Sequence, residues 1–262
     1  MDKLTEIMAY KRLEIADRLR EVPDSELEAL VNPQRPSLFS ALNGKNRMSV
    51  IAEIKRKSPS AGDIAAEASA LSQATRYLSA RTDAISVLTD TKFFSGTIND
   101  LEEITTHIKD SQADVPCLRK DFFVHPIQIV EAAIAGASAI LIIVRALTNE
   151  EIQLLYRSAN LAGLDSIFEI HNEDDLGRAS MAEARIIGVN NRNLATFTID
   201  LALSERLIPQ IPEHCASIAE SGIFTIDDVR RVKAAGAQAV LIGQALMQHS
   251  DPGALIGEIH SL

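Results

Sequence analysis

Short β-branched runs recur about every 20 to 35 residues along the chain, separated by polar stretches whose apolar positions fall at three- and four-residue steps. Read as strands, they cover residues 50–55, 84–89, 116–121, 139–144, 166–170, 185–190, 217–221 and 239–243. The intervening patterns read as helices. Two of them, 127–135 and 227–235, run into Gly136 and Gly236, residues suited to the left-handed position just past a helix. The stretches around those glycines, AGASAILI and AGAQAVLI, echo each other. Such alternation predicts a parallel sheet, and near-continuous apolar strands predict one covered on both faces. Eight units favour a (β/α)8 TIM barrel over an open doubly wound sheet, although periodicity alone does not prove closure.

Residues 1–47 precede the first strand. Leu4, Ile7, Met8, Lys11, Ile15 and Leu19 fall on one helical face, and a second helix is expected at 24–31 before Pro33 and Pro36 interrupt. The reading is one barrel domain over 1–262, with 1–47 as a helical extension packed on it.

Composition narrows the class. Hydrophobic residues make up 46% and charged residues 24% of the 262, ordinary for a globular chain. The longest apolar run, 137–144, is far short of the roughly 20 residues a bilayer requires, so no membrane partner is expected. Acids in the opening Met1-Asp2-Lys3-Leu4-Thr5-Glu6 do not fit a secretory leader, which predicts a cytoplasmic protein. A net charge of −10 argues against nonspecific nucleic-acid binding, yet it leaves room for a local basic pocket. Cys117 and Cys215 read as buried apolar thiols, and no histidine has a neighbour at ligand spacing, so neither a metal nor another cofactor is expected.

Ionisable residues cluster at the predicted strand ends, where a barrel of this class carries its functional groups. Glu53 and Lys55 end the first strand, Arg119, Lys120 and Asp121 the third, and Arg145 follows the fourth. Glu169 and His171 end the fifth, Asn190 to Asn193 the sixth, and Glu220-Ser221-Gly222 the seventh. Because successive strand residues face opposite ways, Glu53 and Lys55 share one face, as do Asn190 and Arg192. Any one of these could be a surface ion pair of little worth. The whole set at corresponding positions points to one functional rim.

Gly222 and Gly243 follow the last two strands, where barrels often hold phosphate on backbone N–H groups. The loop 56–62 is basic and polar, and composition alone makes it a solvated loop rather than a lid.

The segments IAEIKRKSPS (51–60), AISVLTD (84–90), LRKDF (118–122), EIHNEDDL (169–176), IIGVNNRNL (186–194) and IAESGI (218–223) resemble, in order, the signature segments of indole-3-glycerol phosphate synthases. The resemblance spans nearly the whole chain and leaves no room for the second barrel that some members carry. It implies a carboxy-lyase of tryptophan biosynthesis. That reaction closes the ring of 1-(2-carboxyphenylamino)-1-deoxyribulose 5-phosphate, with loss of carbon dioxide and water, to give indole-3-glycerol phosphate. It also implies Lys120 as general acid, with Glu169, Lys55, Glu53 and Asn190 as the other catalytic groups. Ser58, Arg192, Glu220 and Phe94 would contact the substrate, and Ser221, Gly222, Gly243 and Gln244 would hold its phosphate. Gln244 departs from the serine, threonine or glutamate usual there, and His125 lies in a segment unlike the family's and is expected to have no catalytic role. The partner implied is a phosphorylated small molecule, handled by a monomer.

Competing expectations remain. A sugar-phosphate isomerase of the neighbouring pathway would place paired aspartates where Lys55 and Glu169 stand. A Schiff-base aldolase would form an imine on a lysine. A non-catalytic anion binder would lose binding and activity together on mutation of Lys120.

Overall fold

A computed structural model describes residues 3–58, 62–64, 69–193 and 196–262. Residues 1–2, with Pro59 and Ser60 of the first motif and Leu194 of the fifth, lie outside the described residues. Eight parallel strands close into a barrel in chain order: β1 (Ser49–Ile54), β2 (Ala84–Leu88), β3 (Cys117–Lys120), β4 (Ala139–Ile143), β5 (Asp165–Ile170), β6 (Ile186–Asn190), β7 (Ala216–Glu220) and β8 (Ala239–Ile242). Closure comes from β1 pairing with β8, Ser49 opposite Ala239. Each strand lies within a residue or two of the predicted run, because strands covered on both faces read as near-continuous apolar runs.

Helices Ile127–Ile134 and Ile226–Ala234 stop where expected, and Gly136 and Gly236 take φ values of +80° and +100° just beyond them. Both cysteines are free and buried, and the Cys215 thiol donates to the Ala184 carbonyl at 3.0 Å. Among the described residues no helix is long and apolar enough to cross a membrane.

The extension behaves as expected in part. Helix Lys3–Glu14 buries Leu4, Ile7, Met8 and Lys11, and Ile15 follows them into the core. Leu19 does not share that face and is 49% exposed: the helix ends at Glu14 and a 3-10 turn, Ala16–Arg18, breaks the period. The second helix is only Asp24–Glu28, and a third, Leu38–Leu42, begins after Pro36 with Ser37 capping Ser40 N–H at 3.2 Å. In the first loop Lys57–Ser58 pairs antiparallel with Gly62–Asp63. The expectation of a solvated loop is to that extent corrected, since backbone pairing ties these two segments together and Ser58 is buried.

The end of the barrel opposite the rim is fastened by one carboxylate. Asp83, buried just before β2, accepts from Arg47 at 2.7 and 2.9 Å, from Val50 N–H at 2.9 Å, from His260 at 2.9 Å and from Lys45. Burial would raise its pKa, but bonds from His260, Arg47 and Lys45 outweigh burial and hold it well below the usual carboxylate range. Asp83→Asn is expected to cost about 3 kcal/mol near neutral pH, as it breaks a buried ionic cluster. A folded pKa below the unfolded one gives stability that is present above the unfolded value and lost as pH falls. Urea unfolding should therefore show the gap between wild type and variant narrowing below about pH 4.

Candidate active site

The C-terminal ends of the strands form one pocket, and strand parity decides which side chains enter it. Glu53, Lys55, Lys120, Glu169, Asn190 and Glu220 all line it. On β1 the intervening Ile54 packs into the core, as alternation requires. On β3, Lys120 faces the pocket while Arg119 points away, donating to the Gln128 carbonyl and to Glu131 outside the barrel. Ser58, Phe94 and Arg192 line the pocket walls, and Ser221, Gly222, Gly243 and Gln244 line it beyond β7 and β8. The residues expected to act in catalysis, contact the substrate or hold its phosphate thus meet at one rim.

Lys120 is the centre. Its Nζ lies 2.9 Å from Glu220 Oε2 and 3.2 Å from Glu169 Oε2, and Lys55 pairs with Glu53 at the end of β1. Burial would lower the Lys120 pKa, but the carboxylates of Glu220, Glu169 and Glu53 outweigh it and raise the group above its ordinary value. The ammonium is therefore charged at any physiological pH. Glu169 moves the other way: burial raises it, and Lys120, His171 and a bond from Asn190 bring it below its ordinary value. Glu220 is pushed up to about 7, chiefly by burial and further by Glu169 and Glu53, with Lys120 opposing. Two carboxylates on one ammonium are held apart in protonation by their surroundings, a pattern seen where acid and base roles are divided. Arg192 is lowered by burial, Glu53 opposing.

The raised Glu220 carries a stability cost with a definite sign. Its folded pKa of about 7 exceeds the ordinary 4.5, so the fold holds a proton that the unfolded chain releases between those values. Stability therefore falls as pH rises through that window. Glu220→Gln is expected to raise the unfolding free energy by roughly 1–3 kcal/mol near pH 8 and by little near pH 5, measured by urea unfolding. Equal stability of variant and wild type at both pH values would rule out burial as the dominant influence.

Two glycines make room for the carboxylates. A Cβ on Gly188, in β6, would lie 2.1 Å from Glu220 Oε1, and one on Gly243 would lie 2.3 Å from Glu53 Oε1. Beyond β7, Ser221 and Gly222 have φ values of +64° and +80°, turning the backbone back towards the rim.

Besides Arg119, other groups that sequence reasoning placed at the rim behave otherwise, among them Arg145 and His171. Arg145, in the turn Val144–Ala146, is exposed and does not line the pocket. His171 is buried behind Glu169, its Nε2 3.6 Å from Oε1, and burial lowers its pKa although Glu169 opposes. His125 accepts from Ile127 N–H in its loop. Reasoning from strand ends missed Lys3, Leu4, Phe122, Phe197 and Phe224, all of which line the pocket. Lys3 and Leu4 come from the extension, and no local signal marks which face of the barrel an extension will cover. Among the described residues no cluster of three metal-ligating side chains occurs.

A family model described as indole-3-glycerol phosphate synthase matches residues 4–259. A protein of that name from Opitutus terrae is 57% identical over 263 residues, covering 99% of each chain, and one from Roseiflexus sp. is 38% identical, covering 98% of this chain and 97% of its own. Among solved structures, 3-hexulose-6-phosphate synthase from Salmonella typhimurium is similar, with a TM-score of 0.64 and 17% identity over 82% of this chain and 97% of that one. Thiamine phosphate pyrophosphorylase from Pyrococcus furiosus has a TM-score of 0.60 at 13% identity, covering 86% and 96%. At such identities these two speak for the fold alone.

Proposed function

The chain belongs to the indole-3-glycerol phosphate synthase family, and we propose that the rim groups divide that family's reaction among them. The reaction joins two atoms of 1-(2-carboxyphenylamino)-1-deoxyribulose 5-phosphate, the ring carbon bearing the carboxylate and the ketone carbon of the sugar. It then expels carbon dioxide and water to leave indole-3-glycerol phosphate, in tryptophan biosynthesis.

Attack on the ketone puts negative charge on its oxygen, and Lys120 supplies the proton. Carbon dioxide then leaves, and its bonding electrons restore the aromatic ring. The new hydroxyl departs as water with a second proton, while the neighbouring methylene gives a proton to a base. Glu169 and the Glu53–Lys55 pair serve that second half as base and acid, with Asn190 holding Glu169. Arg192 and Ser58 engage the anthranilate end, Phe94 lies against its ring, and Glu220 holds Lys120. The backbone at Ser221, Gly222 and Gly243, with the Gln244 amide, takes the phosphate.

The observation that carries this reading is the Lys120 ammonium set 2.9 and 3.2 Å from two carboxylates with opposite pKa shifts. It also weighs against an aldolase, because imine formation needs a neutral amine and Lys120 is held charged. The wild-type protein should release the fluorescent indole product from the carboxyphenylamino sugar phosphate. No product, or substrate trapped on Lys120 by borohydride, would overturn the reading. The same reading takes the working unit to be a cytoplasmic monomer of one barrel domain, and activity lost on dilution would contradict the monomer.

A further inference from the structure

Lys11 is an ionic group that the reaction does not use, yet it is 2% exposed on the helix that covers the pocket. Its Nζ lies 3.0 Å from Asp90 Oδ2, 3.0 Å from Asp121 Oδ1 and 2.9 Å from Glu14 Oε2. Each aspartate has a second task. Asp90 caps the short helix Thr91–Phe94, its Oδ1 accepting from Phe93 N–H at 2.7 Å. Asp121 accepts from Phe122 N–H at 2.8 Å through the same oxygen that meets Lys11, while its other oxygen takes the Thr89 hydroxyl at 2.6 Å and Arg119 at 3.1 Å. Phe94, the last residue of that capped helix, and Phe122 line the pocket with ring centroids 6.0 Å apart. A second set of contacts seats the same helix on the same loop: Tyr10 meets Phe93 edge-on at 5.7 Å, and Lys92 lies 3.6 Å over the Tyr10 ring.

One ammonium therefore joins the N-terminal helix to the two chain segments that present the pocket's adjacent aromatic rings. We propose that Lys11 is a positioning residue for an aromatic slot: by bridging Asp90 and Asp121 it fixes the spacing of Phe94 and Phe122, which receive the substrate's anthranilate ring. This rests on the proposed function, since another substrate would present another group to the slot. A plain fold anchor would loosen the whole pocket when removed. A slot spacer would weaken the aromatic end alone.

The test compares two ligands in wild type, Lys11→Met and Lys11→Arg: the product, indole-3-glycerol phosphate, and inorganic phosphate, which occupies only the anion end. Lys11→Met is expected to raise the product Kd and the substrate KM by about tenfold, a displacement effect, with phosphate affinity changed by less than about twofold. Should Lys11→Met not fold, Lys11→Arg decides: its planar fork cannot copy an ammonium with three partners, and about threefold weaker product binding is expected. In a Phe94→Leu background the Lys11→Arg effect should disappear, because the two act through one slot. Product and phosphate affinity falling in proportion, unchanged product affinity, or full additivity with Phe94→Leu would overturn the proposal. Absence of turnover in the wild type would instead refute the functional reading beneath it.

Discussion

Lys120→Ala is expected to lower kcat by about a thousandfold or more while changing substrate affinity far less, since the interaction lost is strongest where charge develops in the transition state. The argument rests on placement. The ammonium is buried between Glu169 and Glu220, and among the described residues no other lysine pairs with those carboxylates. Lys55 lies just past β1 and is engaged with Glu53, so it is poorly placed to take over. Removing Lys120 also withdraws the influence that opposes the raised Glu220 pKa, so that group should protonate at still higher pH. Steady-state and single-turnover fluorescence of the indole product separate the two effects. Near-normal turnover would end the assignment of the acid, and equal losses in binding and activity would favour a pocket that only binds anions.

Gly188→Ala is expected to reduce kcat/KM by about a hundredfold from a methyl group that never touches substrate. Its Cβ would fall 2.1 Å from Glu220 Oε1, so the carboxylate must move and carry the Lys120 contact with it. A displacement of about an ångström at a reacting group is worth that much. Gly188 is in mid-strand with Glu169 opposite it in register, which leaves the backbone little room to yield. The same logic applies more weakly to Gly243, where the clash is with the Glu53–Lys55 pair. Kinetics at several pH values would check this, since a displaced Glu220 should also shift the pH profile. Unaltered kcat/KM in a folded Gly188→Ala protein would mean that Glu220 tolerates displacement and does not hold Lys120 in place.

Much of this site could be read before any coordinates. Glu53 and Lys55 flank an isoleucine, and the two-residue period of a strand sends both acid and base to one face. Glycines beyond β7 and β8, Gly222 and Gly243, were expected at the pocket and line it. The errors have local causes. Arg145 was expected at the rim because it follows β4, but the chain turns there and leaves it in solvent. Leu19 matched the helical period of the extension but lies past the helix end. Lys11 sat on an apolar face in the sequence, and nothing nearby named Asp90 and Asp121 as its partners, 79 and 110 residues further on.

What the sequence determined alone is the set of elements and the direction of each side chain within them, because period and capping act over a few residues. It therefore carried the count of strands and most of the side chains that meet at the rim. Only the tertiary structure decided which charges meet: that Lys120 lies between Glu169 and Glu220, that Gly188 must be bare to admit a carboxylate from the next strand, and that the N-terminal helix closes on the pocket through a buried ammonium. Those outcomes depend on closure of the barrel, which brings residues 49 to 100 positions apart within three ångströms or so, and on burial, which turns such approaches into large pKa shifts.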